Sequence, residues 1–312
     1  MGKSVLRRLT LVLGYALYGT GILVLALWLL FPAATVRRTL EEQLGRAWPD
    51  LHWQVEGTGL ELRLRLMVRA IKGYQGQAAE TPLVTLERLT IQPDLLASVL
   101  SRTVQANYQL SIGKGNITGV VRWPSGSDAV RIEGVIRQVS LGAVPWIGSR
   151  LGRGLQGTMS GTFTMGLSPA SFLKPTLEEA RLEVTNGRVG LQRRILGHRE
   201  LPFTKAKVMV RGQDEMFELV QGEIASPLFD GRFSGKVSLR HDPGQEQIEV
   251  QGVIDPKDSF FKKLDNTVNL HAFRLQLKDK PLEFSIRGDL ASPGIHYGEY
   301  AMLVQTLEQE LR

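Results

Sequence analysis

The 312-residue chain contains no cysteine. A disulfide framework, cysteine-ligated zinc, iron–sulfur centres and a thiol nucleophile are all excluded on that ground. The compartment is not, because many exported bacterial domains also lack disulfides. Histidine is scarce: His52, His198, His241, His271 and His296 stand singly, with no spacing that would place two ligands on one helix face, and are expected at surfaces or turns. Positive charge exceeds negative, 38 Lys and Arg against 31 Asp and Glu for a net +7, yet no block of five basic residues occurs. Three of the positive residues, Lys3, Arg7 and Arg8, sit together at the start. A nucleic-acid partner is therefore not expected.

Catalytic patterns are missing as well. Gly152-Arg153-Gly154-Leu155-Gln156-Gly157 spells G-x-G-x-x-G, but a period-two run follows it where a phosphate cradle needs a helix. Two S-x-x-K matches, Ser171 to Lys174 and Ser259 to Lys262, lack the companion S-D-N and K-T-G elements. Nucleophile-elbow and P-loop patterns are absent. Asn116-Ile117-Thr118 is a formal glycosylation acceptor, but it lies inside a strand-like run. No catalytic residue, metal or cofactor is assigned, and the chain is not expected to be an enzyme.

What the chain does have is one long apolar run, "LTLVLGYALYGTGILVLALWLLF", residues 9–31, without a charged side chain. As a helix it would be about 34 Å long, enough for a hydrocarbon core of about 30 Å. The apolar part of a cleaved signal is about 7–15 residues, and Pro32 would fall at position −3 for cleavage after Ala34. The run is accordingly read as a retained single-pass anchor, with 1–8 cytoplasmic. Local charges nearly balance across it, and a long C-terminal part translocates largely regardless of charge, so the remainder is placed outside. Residues 32–50 read as a connecting amphipathic segment, with Val36, Leu40 and Leu44 at helical spacing.

From residue 51 to 312 the period changes to two. About ten runs alternate apolar and polar residues between Gly and Pro clusters, and only a few short helices interrupt them: 94–101, 142–152, 259–266 and 298–311. A mainly β, curved antiparallel sheet or sandwich is expected. In "TGLELRLRLMVRA" (58–70), Leu60, Leu62, Leu64, Leu66 and Val68 would form the dry face of one strand, opposite Glu61, Arg63, Arg65 and Arg69.

A repeated unit, Gly-x-apolar-Ser/Thr-Gly-x-apolar-x-apolar, occurs as "GNITGVVRW" (115–123), "GTMSGTFTM" (157–165) and "GRFSGKVSL" (231–239). Its glycines, Gly115, Gly119, Gly157, Gly161, Gly231 and Gly235, share parity with Ile117, Val121, Met159, Phe163, Phe233 and Val237. Glycine inside a strand marks a bulge, a bend or a close approach. These residues, with Leu60 to Val68, define a candidate apolar concave face. Either the sheet folds over on itself and closes this face as core, or phospholipid chains fill it.

The order of features resembles the protein N family of the type II secretion pathway (GspN). The likeness runs from the N-terminal span through "VTLERLTIQPDLLASVLSRTVQANYQLSIGKGNITGVV" (84–121) and "LGAVPWIGSRLGRGLQGTMSGTFTM" (141–165) to the closing "FSIRGDLASPGI" (284–295). Similar strands occur in the larger AsmA-like envelope proteins, which are linked to lipid transport. The resemblance implies a non-enzymatic component of the bacterial inner membrane with a periplasmic β domain, working beside other secretion-system subunits. The alternative it leaves open is an AsmA-like protein that binds or transfers lipid in an apolar groove.

Overall fold

Alternating side chains on one strand favour a neighbour with the same alternation, and short Gly-containing turns return the chain antiparallel. Repeated fifteen times, this makes one sheet. The structure, a computed structural model, describes residues 14–15, 18–19, 21–22, 25–26, 28–61, 64–75, 81–124, 126, 129–144, 148, 153–168, 171–195, 198–239, 246–262, 275, 277 and 281–310. Its strands are β1 (Leu51–Glu61), β2 (Arg65–Gln75), β3 (Val84–Leu86), β4 (Arg88–Pro93), β5 (Thr103–Ile112), β6 (Gly115–Pro124), β7 (Val130–Ser140), β8 (Leu155–Ser168), β9 (Ser171–Ile195), β10 (His198–Gln213), β11 (Met216–Ala225), β12 (Phe229–Ser238), β13 (Gln247–Pro256), β14 (Leu282–Asp289) and β15 (Gly294–His296). Each pairs antiparallel with the next, except that β2 pairs both β3 and β4, so the path runs β1-β2-β4-β5 and onward in order to β15. The sheet is open, and the strands form one sheet rather than the two stacked layers of a sandwich.

Two sequence expectations change here. Leu60 to Val68 is not one strand: β1 stops at Glu61, the chain turns at Leu64 (φ 56°), and Leu60 lies opposite Leu66 across the hairpin. Leu60 and Leu66 therefore share a face as cross-strand partners, Leu64 belongs to the turn, and Leu62 lies outside the described residues. The stretch 83–91, one of the alternating runs and expected as a single strand, divides at Glu87 into β3 and β4, which pair with different stretches of β2.

Among the described residues, four short helices with defined bounds pack on the sheet: α1 (Ala33–Ala47), α2 (Leu95–Ser101), α3 (Asp258–Phe261) and α4 (Ala301–Glu310). Helix α1 lies antiparallel along β1. Near its start the Ala33 carbonyl accepts from Thr58 Oγ1 (2.7 Å), and just past its middle Glu41 Oε1 accepts from Val55 N–H (2.9 Å). That carboxylate occupies a donor the edge strand would otherwise offer to another chain. Leu40 and Leu44 meanwhile pack on Leu51, Trp53, Val55, Val68 and Ile71.

Among the described residues the buried core forms three clusters. One lies under α1; a second gathers Ile112, Ile136 and Val139; the third sets Phe260, Phe261, Tyr300, Val304 and Leu307 against Phe229 and Leu282. Tyr300, Val304 and Leu307 recur at helical spacing, which is why this end of the chain folds back as a helix. Among the described residues no helix is long and apolar enough to cross a membrane. Most of the 9–31 run lies outside them; the described residues between Gly14 and Leu29 are helical, with Tyr15, Tyr18, Leu25 and Leu29 exposed.

Candidate functional site

In an antiparallel pair, residues directly opposite project on the same side. Followed from strand to strand, the register draws one apolar row across the whole sheet: Leu60, Leu66, Ile91, Tyr108, Gly119, Gly134, Phe163, Ala180, Val210, Leu219, Gly235, Val250, Ile286 and Ile295. Three more rows flank it. On one side runs Val68, Leu89, Leu110, Ile117, Ile136, Gly161, Leu182, Val208, Gly222, Phe233, Gly252 and Phe284. Beyond it lies a row through Val139, Met159, Val184, Ala206, Ile224, Gly231, Ile254 and Leu282. On the other side runs Ala106, Val121, Ile132, Met165, Leu177, Gly212, Phe217, Val237, Ile248 and Gly288.

The structure thus places Ile117, Val121, Met159, Phe163, Phe233 and Val237 on one face, with Leu60, Leu66 and Val68. Their glycines do different work. Gly157 (φ 140°) sits where the β8–β9 register breaks. Gly161, opposite Ile136 and Leu182, aligns with the second row, while Gly119 and Gly235 align with the central one. Gly115 and Gly231 lie opposite Ile112 and Ile224.

Several strand glycines lie beneath an aromatic ring from the neighbouring strand. Tyr108 covers Gly119 and reaches Gly134; Phe163 covers Gly134 from the other side; Phe233 lies against both Gly222 and Gly252, and Phe203 against Gly187. An added Cβ on Gly134 would come within 2.5 Å of Phe163 Cε1 and Tyr108 Oη. The ring substitutes for the side chain that glycine lacks, and strands remain paired where two large residues would collide. Tyr108 Oη donates to the Glu133 carbonyl (3.2 Å), and burial pushes its phenol up to about 12. Sequence reasoning found the glycines and missed their partners, because the pairing depends on register.

Most of this face is half-buried. Ala180 and Val250 in the central row and Val68 and Ile136 in the next are buried, as are Val139 and Leu282 at the end where α3, α4 and the 3-10 turn Leu141–Ala143 pack. In the row from Ala106 to Gly288 every residue is half-buried and none is fully buried. The opposite face is polar and laced with ion pairs. Arg131 bridges Glu133 and Glu178 (3.5 and 2.9 Å), Glu179 holds Arg181 and Arg211 (2.7 and 3.4 Å), and Lys205 meets Glu183 (2.8 Å).

Chemistry remains unassigned. Among the described residues no group of three His, Asp or Glu is placed to hold a metal. The G-x-G-x-x-G stretch runs into β8, a strand, at Leu155. His198, expected at a surface or turn, is instead buried, stacked on Phe260 with its Nε2 3.4 Å from the Phe260 carbonyl. Comparison with protein-family models, with curated proteins and with solved structures returns no match for the chain.

Proposed function

We propose that the chain is a non-enzymatic, single-pass component of the bacterial inner membrane whose periplasmic sheet shelters acyl chains of phospholipid against its apolar face. The carrying observation is the row from Ala106 to Gly288, which stays half-buried on every strand it crosses. An apolar surface running across ten strands far exceeds what a soluble monomer leaves open without a partner. A twisted sheet of fifteen strands must also curl, split or flatten. This one does not split, and curling would make the face a trough. Four rows of alternate residues span about 20 Å, comparable with one acyl chain in half of a bilayer core of about 30 Å. Glycines under rings keep the floor smooth, and the ion-paired outer face keeps the other side wet.

The test is photo-crosslinking in membranes that contain the full chain and a phospholipid with a photoreactive acyl tail. Crosslinks in β6, β7 and β8, lost in Val121→Glu while the β circular dichroism persists, support the reading. Crosslinks confined to residues 9–31 would count against it.

A second reading, membership of the type II secretion machinery, is favoured by the chain-long order of features shared with the GspN family. It is compatible with a lipid-holding face, since the anchor and the sheet would serve the machine from the same membrane. Deletion of the chain in its host should then block export of folded proteins from the periplasm. Unchanged export would remove this reading and leave the first standing.

A further inference from the structure

Helix α2 is inside out. Its apolar residues Leu95, Leu96, Val99 and Leu100 form one stripe, and they are 61, 80, 79 and 84% exposed. Its polar residues face the protein: Asp94 caps the Ala97 N–H (3.0 Å), and Ser98 and Ser101 accept from the backbone and side-chain amides of Gln105 (2.9 Å each). An isolated amphipathic helix would do the reverse. Gln105 therefore rivets the helix to the start of β5 with its apolar stripe outward.

The stripe lies at the end of the sheet where the apolar face also turns exposed. Val104 and Trp123 are register partners one step beyond Ala106 and Val121 on the same side, and they are 62 and 46% exposed. The same end of the sheet is the end toward which the N-terminus of α1 points, because α1 runs antiparallel to β1 with Ala33 at Thr58 and Glu41 at Val55. The 9–31 run joins the domain there, immediately before Pro32.

We infer that α2, with Val104 and Trp123, is a lip that seats in the outer leaflet of the membrane carrying the 9–31 run and passes acyl chains onto the apolar face. The inference rests on the lipid-holding reading and names its portal. Aliphatic side chains beside an interfacial Trp suit the boundary between headgroups and acyl chains. The far end of the face is the one the helices close.

Because the chain has no cysteine, Leu96→Cys supplies a single thiol for a polarity-sensitive fluorophore, with Lys114→Cys, in the turn at the opposite end, as control. The full chain is reconstituted in phosphatidylethanolamine/phosphatidylglycerol nanodiscs containing nitroxide-tailed lipid. Expected is a blue-shifted probe at position 96, quenched several-fold more than at 114. Equal, water-like emission at both positions overturns the lip, and so does a shielded but unquenched probe at 96, which would mean that a second copy covers it. In parallel, Leu96→Glu/Leu100→Glu should slow transfer of fluorescent phospholipid onto the face at least tenfold while leaving the amount bound at saturation unchanged. Unchanged transfer overturns the portal with the lipid reading intact. A quenched probe at 96 with no lipid on the face of the unaltered chain keeps the membrane contact and removes the lipid reading.

Discussion

The ring of Phe163 lies against the bare Cα of Gly134, its register partner on β7, while Tyr108 approaches the same glycine from two strands away. The space is already filled, so a methyl group has nowhere to go without moving a ring. Gly134→Ala should destabilise the chain by about 1–3 kcal/mol, the usual cost of overpacking. Gly166→Ala, three residues along the same strand from Phe163 but with nothing within 4 Å of its added Cβ, should change stability by less than about 1 kcal/mol. Urea midpoints of the two variants check the contrast, and a Gly134→Ala as stable as the unaltered chain would show that the ring moves freely.

That pairing also marks where sequence reading stopped. Alternation reports which face a residue takes, because side-chain direction has a period of two. Most strands, the connecting helix and the C-terminal helix follow from it and from the 3.6-residue spacing of Tyr300, Val304 and Leu307. Register is a tertiary property, so no local pattern says that Tyr108 meets Gly119 or that Phe233 meets Gly222. The hairpin inside Leu60 to Val68 was hidden for a different reason. Its turn uses Leu64 at positive φ, with no Gly, Pro, Asn or Asp to announce it, and the alternation runs straight through. "DLLASVLS" reads correctly as a short helix, whose Asp94 cap the structure adds, but nothing in it discloses that its apolar side points outward.

The contact between Glu41 and the Val55 N–H holds α1 along the edge of the sheet. Glu41→Ala should cost about 1–2 kcal/mol, in the range of a hydrogen bond to a charged acceptor at a partly wet site. Glu41→Gln, which keeps an acceptor oxygen, should recover more than half of that. The alanine variant should also self-associate more readily, because it returns a free N–H to an edge strand. Sedimentation velocity of the full chain in detergent reads the second effect; loss of stability without added association would mean that α1 stays in place by Leu40 and Leu44 alone.

The Tyr108 phenol, raised to about 12 by burial, gives a pH dependence with a definite sign. Its folded pKa lies above the ordinary value near 10, so the unfolded chain ionises first. Stability is therefore intact below pH of about 10 and falls as pH rises from about 10 toward 12. Tyr108→Phe should flatten part of that fall, at the cost of the bond to the Glu133 carbonyl, about 1 kcal/mol at neutral pH. Midpoints measured at intervals between pH 8 and 11.5 would reveal it; identical slopes in the two proteins would assign the alkaline loss to other groups.

Arg131 and Ile132 are neighbours on β7 that look in opposite directions, one into the ion-pair network and one onto the apolar face. Arg131 and its partners are all at least a third exposed, so solvent screens them, and Arg131→Gln should change stability by less than about 1 kcal/mol. Ile132→Asn removes apolar contact from a half-buried row, and in delipidated protein its cost should be small for a strand residue. The difference should emerge when phospholipid is restored. A ligand that binds only the folded chain stabilises it by RT ln(1 + [L]/Kd), about 2.7 kcal/mol at a hundredfold excess over Kd. Thermal midpoints should therefore rise with added lipid for the unaltered chain and for Arg131→Gln, and rise much less for Ile132→Asn. Equal lipid-induced shifts in all three would mean that the lipid acts on the 9–31 run, and that the apolar face of the sheet has another occupant.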